Sequence, residues 1–148
     1  MGHPILLYDG MCGLCNRMVR LVLKRDRDGI FRFASLQSPL AAGILAAHGV
    51  APSSLDTFYL VLNHDPVKPA ERERPPRELL LVRSDAVLFV LKNLHGIWTV
   101  TATVLRVIPR PIRDWVYRLL ARHRYRIFGL YATCPMPEED LRDRFLDV

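Results

Sequence analysis

Ile5-Leu6-Leu7-Tyr8-Asp9-Gly10-Met11-Cys12-Gly13-Leu14-Cys15 passes from a short apolar run through an Asp-Gly turn to two cysteines three positions apart. The apolar run closed by Asp9-Gly10 reads as a buried strand ending in a turn. If Cys12 opens the following helix, its sulfur sits among unpaired backbone N–H groups at the positive end of the helix dipole, where a thiolate is favoured. Cys15 then lies one turn further on, a geometry suited to making and breaking a disulfide.

Outward from that stretch, Leu14, Met18, Leu21 and Val22 recur at three and four, while Asn16, Arg17, Arg20 and Lys24 take the other side. The spacing predicts an amphipathic helix over 13–25, stopped by Asp26-Arg27-Asp28-Gly29, with Ile30 to Ala34 alternating as a second strand. Ser38-Pro39 reads as an N-cap with proline at the first helical position, opening a helix from Leu40 to His48 that Gly49 ends. A connection as long as 13–29 joins parallel strands by a crossover. Thr57 to Leu62 and Leu79 to Val82 are β-branched, aromatic or apolar runs predicted as two more strands. Between them, residues 63–78 hold four prolines and many charges, expected as a long mobile loop remote from the chemistry. Ser84, with Asp85 behind it, is expected to cap a helix through Val87, Val90, Leu91 and Leu94 to Gly96. Residues 97–108 are rich in Thr and Val and would suit a strand, but the helical segment after them favours helix. Pro111 starts a long helix with Ile112, Trp115, Val116, Leu119, Leu120, His123 and Ile127 on one face and arginines on the other, closed by Gly129. The tail, Cys134-Pro135-Met136-Pro137 and then 138–145, reads as a turn with one or two helical turns.

A chain of 148 residues, half of them apolar, can bury one good core but hardly two full domains. No basic segment followed by an apolar run marks a secretory leader at its start, and no apolar stretch reaches the roughly 20 residues of a membrane span. A cytoplasmic protein is the expectation. Three cysteines do not make a disulfide-stapled secreted fold, so the close pair is redox-active or metal-binding rather than structural.

For exchange, Cys12 is placed as the attacking thiolate and Cys15, deeper in the helix, as the resolving thiol. Zinc uses the same CxxC spacing but needs about four ligands, and only Cys134 and five scattered histidines remain to supply them. Two inert buried thiols are the third reading. No metal or cofactor is expected. Asp9 could shuttle a proton for the thiols, yet its charge would disfavour the thiolate; equally, it could simply accept backbone N–H bonds in its turn. Cys134 is either a second resolving thiol or structural, and the histidines show no ligand spacing.

The formal charge of +6 gathers in one segment, since 98–128 holds seven arginines and one acid, Asp114. Arg113, Arg118, Arg122, Arg124 and Arg126 form either a solvated helix face or a surface for an acidic partner, an anionic membrane or nucleic acid.

Tyr8-Asp9-Gly10-x-Cys12-x-Leu14-Cys15, followed by Phe31-x-Phe33-Ala34-x-Leu36-Gln37-Ser38, resembles the bacterial thiol-disulfide oxidoreductase DCC family, named for its Asp-Cys-Cys signature. Arg83-Ser84-x-Ala86, Ile108-Pro109, Arg113-Asp114, Tyr117, Arg124-Tyr125-Arg126-x-Phe128-Gly129 and Cys134 extend the resemblance over nearly the whole chain. It implies an α/β, thioredoxin-like β-α-β-α-β-β-α core over 1–96, with an Arg-rich helical extension over 97–148 packed on it. It also implies that Cys12 and Cys15 are the redox pair, acting on a thiol or disulfide substrate, and that Asp9, Arg83, Ser84, Arg124 and Arg126 matter, without giving their roles. Thioredoxin-like enzymes set a cis-proline before the third strand. Here that approach reads Ser54-Leu55-Asp56-Thr57, with Pro52 too early, so substrate is expected to be held differently, with Gly10, Thr57, Arg83 and Ser84 as positioning residues.

Overall fold

The computed structural model describes residues 3–51, 58–64, 78–130 and 139–146. Its elements are β1 (Ile5–Tyr8), α1 (Gly13–Arg25), β2 (Arg32–Ser35), α2 (Pro39–Ala47), β3 (Tyr59–Leu62), β4 (Leu79–Val82), α3 (Arg83–Asn93), α4 (Ile97–Val107) and α5 (Arg110–Phe128), then a 3₁₀ turn at Glu139–Arg144. The sheet order is β2-β1-β3-β4, a mixed α/β arrangement consistent with a thioredoxin-like fold. β1 runs parallel to β2, as the crossover through α1 requires, whereas β3 is antiparallel to both β1 and β4.

Alternation along the strands divides the core. Leu6, Tyr8, Phe33 and Leu60 point to the face covered by α1 and α3; Ile5, Leu7, Ala34, Tyr59 and Val61 point to the face that receives Ala41, Ile44 and Leu45 of α2. The central strand β1 is thus buried on both sides and delivers its C-terminal end, Asp9 to Cys12, to the rim of the sheet. α1 starts where the sequence places it, with Cys12 as N-cap, and Ser38 caps α2 by accepting the Ala41 N–H.

Three expectations are corrected. Ser84 does not cap α3: Arg83 takes the left-handed conformation, φ 51°, so the chain turns out of β4 one residue earlier, and Ser84 Oγ instead donates to Asp114 of α5. The apolar stripe of α5 is not its buried face. Ile112, Trp115, Val116, Leu119, Leu120 and Ile127 are exposed, while Tyr117 and Arg124 turn inward and Arg113 is largely covered. The helix lies this way round because its polar groups find partners in the core. Tyr117 Oη accepts the Phe58 N–H at 2.8 Å, Asp114 takes Ser84, and Arg124 takes Asp9. Arg124, by its bond to Asp9, and Arg113, by its cover and its approach to Asp85 at 3.9 Å, do not belong to a solvated arginine face. After the 3₁₀ turn, Phe145 is buried, stacks on Phe33 with centroids 5.3 Å apart and meets Tyr8 edge-on.

Thr57, the approach 54–57 with Pro52, the stretch 65–77 and Cys134 lie outside the described residues. Glu78, at the far end of 65–77, joins His64, at its near end, to His48. Glu78 is buried with its two oxygens 2.7 and 3.0 Å from the ring nitrogens of His48 and His64. Among the described residues, no helix is long and apolar enough to cross a membrane.

Candidate active site

Cys12 and Cys15 are both reduced and both buried. As N-cap, Cys12 leaves its sulfur on the axis of α1, where it accepts the Cys15 backbone N–H at 3.4 Å. The Cys15 thiol also hydrogen-bonds to it. That bond is the largest cause lowering the Cys12 pKa to about 6; burial opposes it, and the backbone N–H of Cys15 and the Arg124 charge add to it. Cys15 moves the other way, its thiol held protonated first by the bond it gives to Cys12, then by burial and by the Cys12 charge. The pair therefore divides into a thiolate and a thiol.

Depth in the helix does not separate the two. Cys12 is 0% exposed and Cys15 7%, the reverse of what position alone suggests. Cys12 is covered because the chain leaving α5 crosses the start of α1. Leu130 forms an isolated antiparallel bridge with Cys12, and the Gly13 N–H donates to Gly129 O at 3.1 Å. Glycine at 13 is a requirement of this crossing, since a Cβ there would lie 2.2 Å from the Phe128 carbonyl oxygen. The Arg17 guanidinium, 5.5 Å from the Phe128 ring centroid, holds the same crossing from outside.

Behind the sulfurs lies a polar network organised by Asp9. One carboxylate oxygen accepts the Met11 N–H at 3.0 Å and the Gln37 amide at 2.9 Å; the other accepts Arg124 at 3.1 Å and the Tyr125 hydroxyl. Arg124, 3% exposed, reaches from Asp9 to the Cys15 sulfur at 4.0 Å, so one buried cation serves a carboxylate and a cysteine. Burial opposes the Arg124 charge, but Cys15, Tyr125, Cys12 and Asp9 outweigh it and hold the guanidinium more firmly protonated. Tyr125 is pushed up to about 12 by burial and by its bond to Asp9, which fixes it as a donor. The expectation that Asp9 opposes the thiolate is thus answered by Arg124. The carboxylate is matched by a cation, and the thiol that Asp9 was expected to hold up is lowered.

The Gly10 N–H donates to Gln37 Oε1, and its carbonyl accepts the Asn16 amide at 2.8 Å, which anchors the turn to α1. Arg83 and Ser84 are engaged elsewhere, the first through its N–H to Phe58 O and the second with Asp114. Tyr117, raised to about 12 chiefly by burial, links Phe58 to the back of the site. Gln37, Tyr125, Tyr117 and Asn16 were given no role from sequence; Gln37, Tyr125 and Tyr117 stand inside the quoted motifs, which is the signal that marks them. Among the described residues, no three His, Cys, Asp or Glu side chains come together as metal ligands.

Two adjacent cysteines at the end of a central strand, the first capping a helix, in a sheet consistent with a thioredoxin-like fold, define the protein's class. The family model of the DCC1-like thiol-disulfide oxidoreductases matches residues 6–130, and the chain belongs to that family. It is similar to the uncharacterized protein YuxK of Bacillus subtilis, 32% identical over 144 residues, covering 97% of this chain and 94% of the relative. It is also similar to a chloroplastic DCC family protein of Arabidopsis thaliana, 32% identical over 134 residues, covering 90% of this chain and 70% of the relative. No solved structure matches.

Proposed function

We propose that the chain is a cytoplasmic thiol-disulfide oxidoreductase in which Cys12 attacks and Cys15 resolves. What supports this is the geometry of two adjacent thiols: Cys12 caps α1 and its sulfur accepts the Cys15 N–H at 3.4 Å, an arrangement that lowers Cys12 and raises Cys15. In the reducing direction, the Cys12 thiolate attacks one sulfur of a substrate disulfide, forming a mixed disulfide and expelling the other sulfur as a thiolate, which is protonated. Cys15 is kept protonated by its bond to Cys12, by burial and by the Cys12 charge; burial persists in the mixed disulfide, which removes the other two. Arg124 remains 4.0 Å away and favours the Cys15 thiolate. Cys15 then attacks Cys12 Sγ, the second substrate thiolate leaves, and two electrons have passed from the dithiol to the substrate. The reverse sequence oxidises a dithiol.

Asp9 acts in this scheme as a positioning residue that holds Arg124 beside the sulfurs, with Gly10 and Gln37 shaping its turn. Residues 97–148 belong to the same working unit as 1–96, because α5 supplies Arg124. Access to Cys12 requires Gly129 and Leu130 to lift from the start of α1. Equilibration of the purified protein with glutathione redox buffers tests the reading. A reversible Cys12–Cys15 disulfide is expected, with disulfide reductase activity abolished in Cys12→Ser and a trapped mixed disulfide in Cys15→Ser; absence of a reversible disulfide overturns it.

A further inference from the structure

Among the described residues, twelve of the fourteen large hydrophobic side chains left exposed fall between Ile97 and Leu130. On α4 they are Ile97, Val100, Val104 and Val107, 61–81% exposed and spaced so that they share one helix face. On α5 they include Trp115 and Ile127, 60% and 62% exposed. Arg118, Arg122 and Arg126, all exposed, follow one another at every fourth position and so form a row along the edge of the α5 stripe; Arg106 of α4 is exposed too. The one acid of the segment, Asp114, is already taken by Ser84 and Arg110. Isolated exposed hydrophobes need no explanation, but an apolar surface spread over two adjacent helices and edged by arginines that form no ion pair among the described residues does.

We infer that the outer face of α4 and α5 docks on an anionic membrane surface, with the apolar stripe in the headgroup boundary and the arginine row on lipid phosphates. The chemistry is that of an interfacial amphipathic helix, with a Trp-bearing apolar face beside a basic one. A second copy of the chain is a poor occupant because its identical arginine row would meet this one without an acid on either side. Nucleic acid would leave the apolar stripe in water. An acidic protein would need a surface matched to two helix ridges, whereas acyl chains conform to any apolar relief. The stripe also continues into a cavity of about 240 Å³ lined mainly by apolar side chains, Leu88, Leu105, Ile108, Val116 and Leu120, together with Ser84 and Arg113. The docking face adjoins Cys12, since Leu130, two residues past α5 and bridged to Cys12, is itself 59% exposed.

Cosedimentation of the full chain with vesicles of phosphatidylcholine alone, and of phosphatidylcholine containing phosphatidylglycerol, tests this. Binding to the anionic vesicles, little to the neutral ones, and a steep fall with added salt are expected. The triple variant Arg118→Gln/Arg122→Gln/Arg126→Gln should bind on the order of a hundredfold more weakly. Trp115→Ser/Leu119→Ser, with the charge unchanged, should lose about tenfold. Cys12→Ser should bind as the parent does, which separates docking from the exchange reading. Circular dichroism checks that each variant is folded. No binding to anionic vesicles at low salt overturns the proposal, as does undiminished binding by either multiple variant. It is equally overturned by a dimer that Trp115→Ser disperses without vesicle binding, or by saturable binding to an acidic amphipathic peptide with none to vesicles.

Discussion

α1 and α5 are both amphipathic, both carry arginines beside an apolar stripe, and they face the protein in opposite senses. α1 buries Val19 and Val22 and leaves Arg20 outside; α5 buries Arg124 and leaves Trp115, Leu119 and Ile127 outside. Amphipathic spacing defines two faces of a helix, and the partners decide which one is covered. For α1 the partners are the aromatic and aliphatic side chains of the sheet. For α5 they are polar groups already present on the sheet rim, the Asp9 carboxylate, the Ser84 hydroxyl and the Phe58 N–H, each of which would be costly to bury unpaired.

The contrast can be broken most severely at Arg124. Arg124→Met strands a buried carboxylate at Asp9 and is expected to lower stability by about 3–5 kcal/mol in urea denaturation. The double variant Asp9→Asn/Arg124→Met should lose clearly less than the two single changes added together. Next is the crossing of the two helices. Gly13→Ala forces its Cβ against the Phe128 carbonyl, at a cost of roughly 1–3 kcal/mol, and should speed alkylation of Cys12 by displacing Gly129 and Leu130. The direct comparison of faces comes last. Val22→Ala in α1 should cost about 2 kcal/mol, whereas Leu119→Ser in α5 should stay within about 0.5 kcal/mol of the parent. Equal losses at Val22 and Leu119 would mean that α5 packs by its apolar stripe after all.

Local features of the fold were legible in the chain. Cys12 at the start of α1, Ser38-Pro39 at the start of α2 and the crossover between β1 and β2 follow from residues within a turn or a strand of one another. The cysteine pair was legible for the same reason. What surrounds it was not, because Asp9 and Arg124 are 115 positions apart, Phe58 and Tyr117 59 apart, and side-chain type alone does not announce such partners. Arg124 and Arg126 are two residues apart in one arginine run, yet the first is buried and the second exposed. The helix phase set by Tyr117 and Asp114 against the domain distinguishes them. Ser84 illustrates the reverse case, a residue whose local signal, a helix cap, loses to a distant carboxylate.

The thiol pair also links reactivity to stability. Because the folded Cys12 pKa is depressed, its contribution to the stability of the reduced protein is fully present above the unfolded cysteine value of roughly 8.5 and is lost as pH falls through about 6. The stability difference between the reduced parent and Cys12→Ser should therefore grow between these limits, as measured by urea denaturation at several pH values.

The division of the pair into a thiolate and a thiol is tested most directly by alkylating the reduced protein with iodoacetamide across this pH range and locating the label by peptide mapping. Modification of Cys12 with a midpoint near pH 6, while Cys15 stays unlabelled, is the expected result. A midpoint near the free-thiol value of roughly 8.5, or labelling of Cys15 ahead of Cys12, would contradict it.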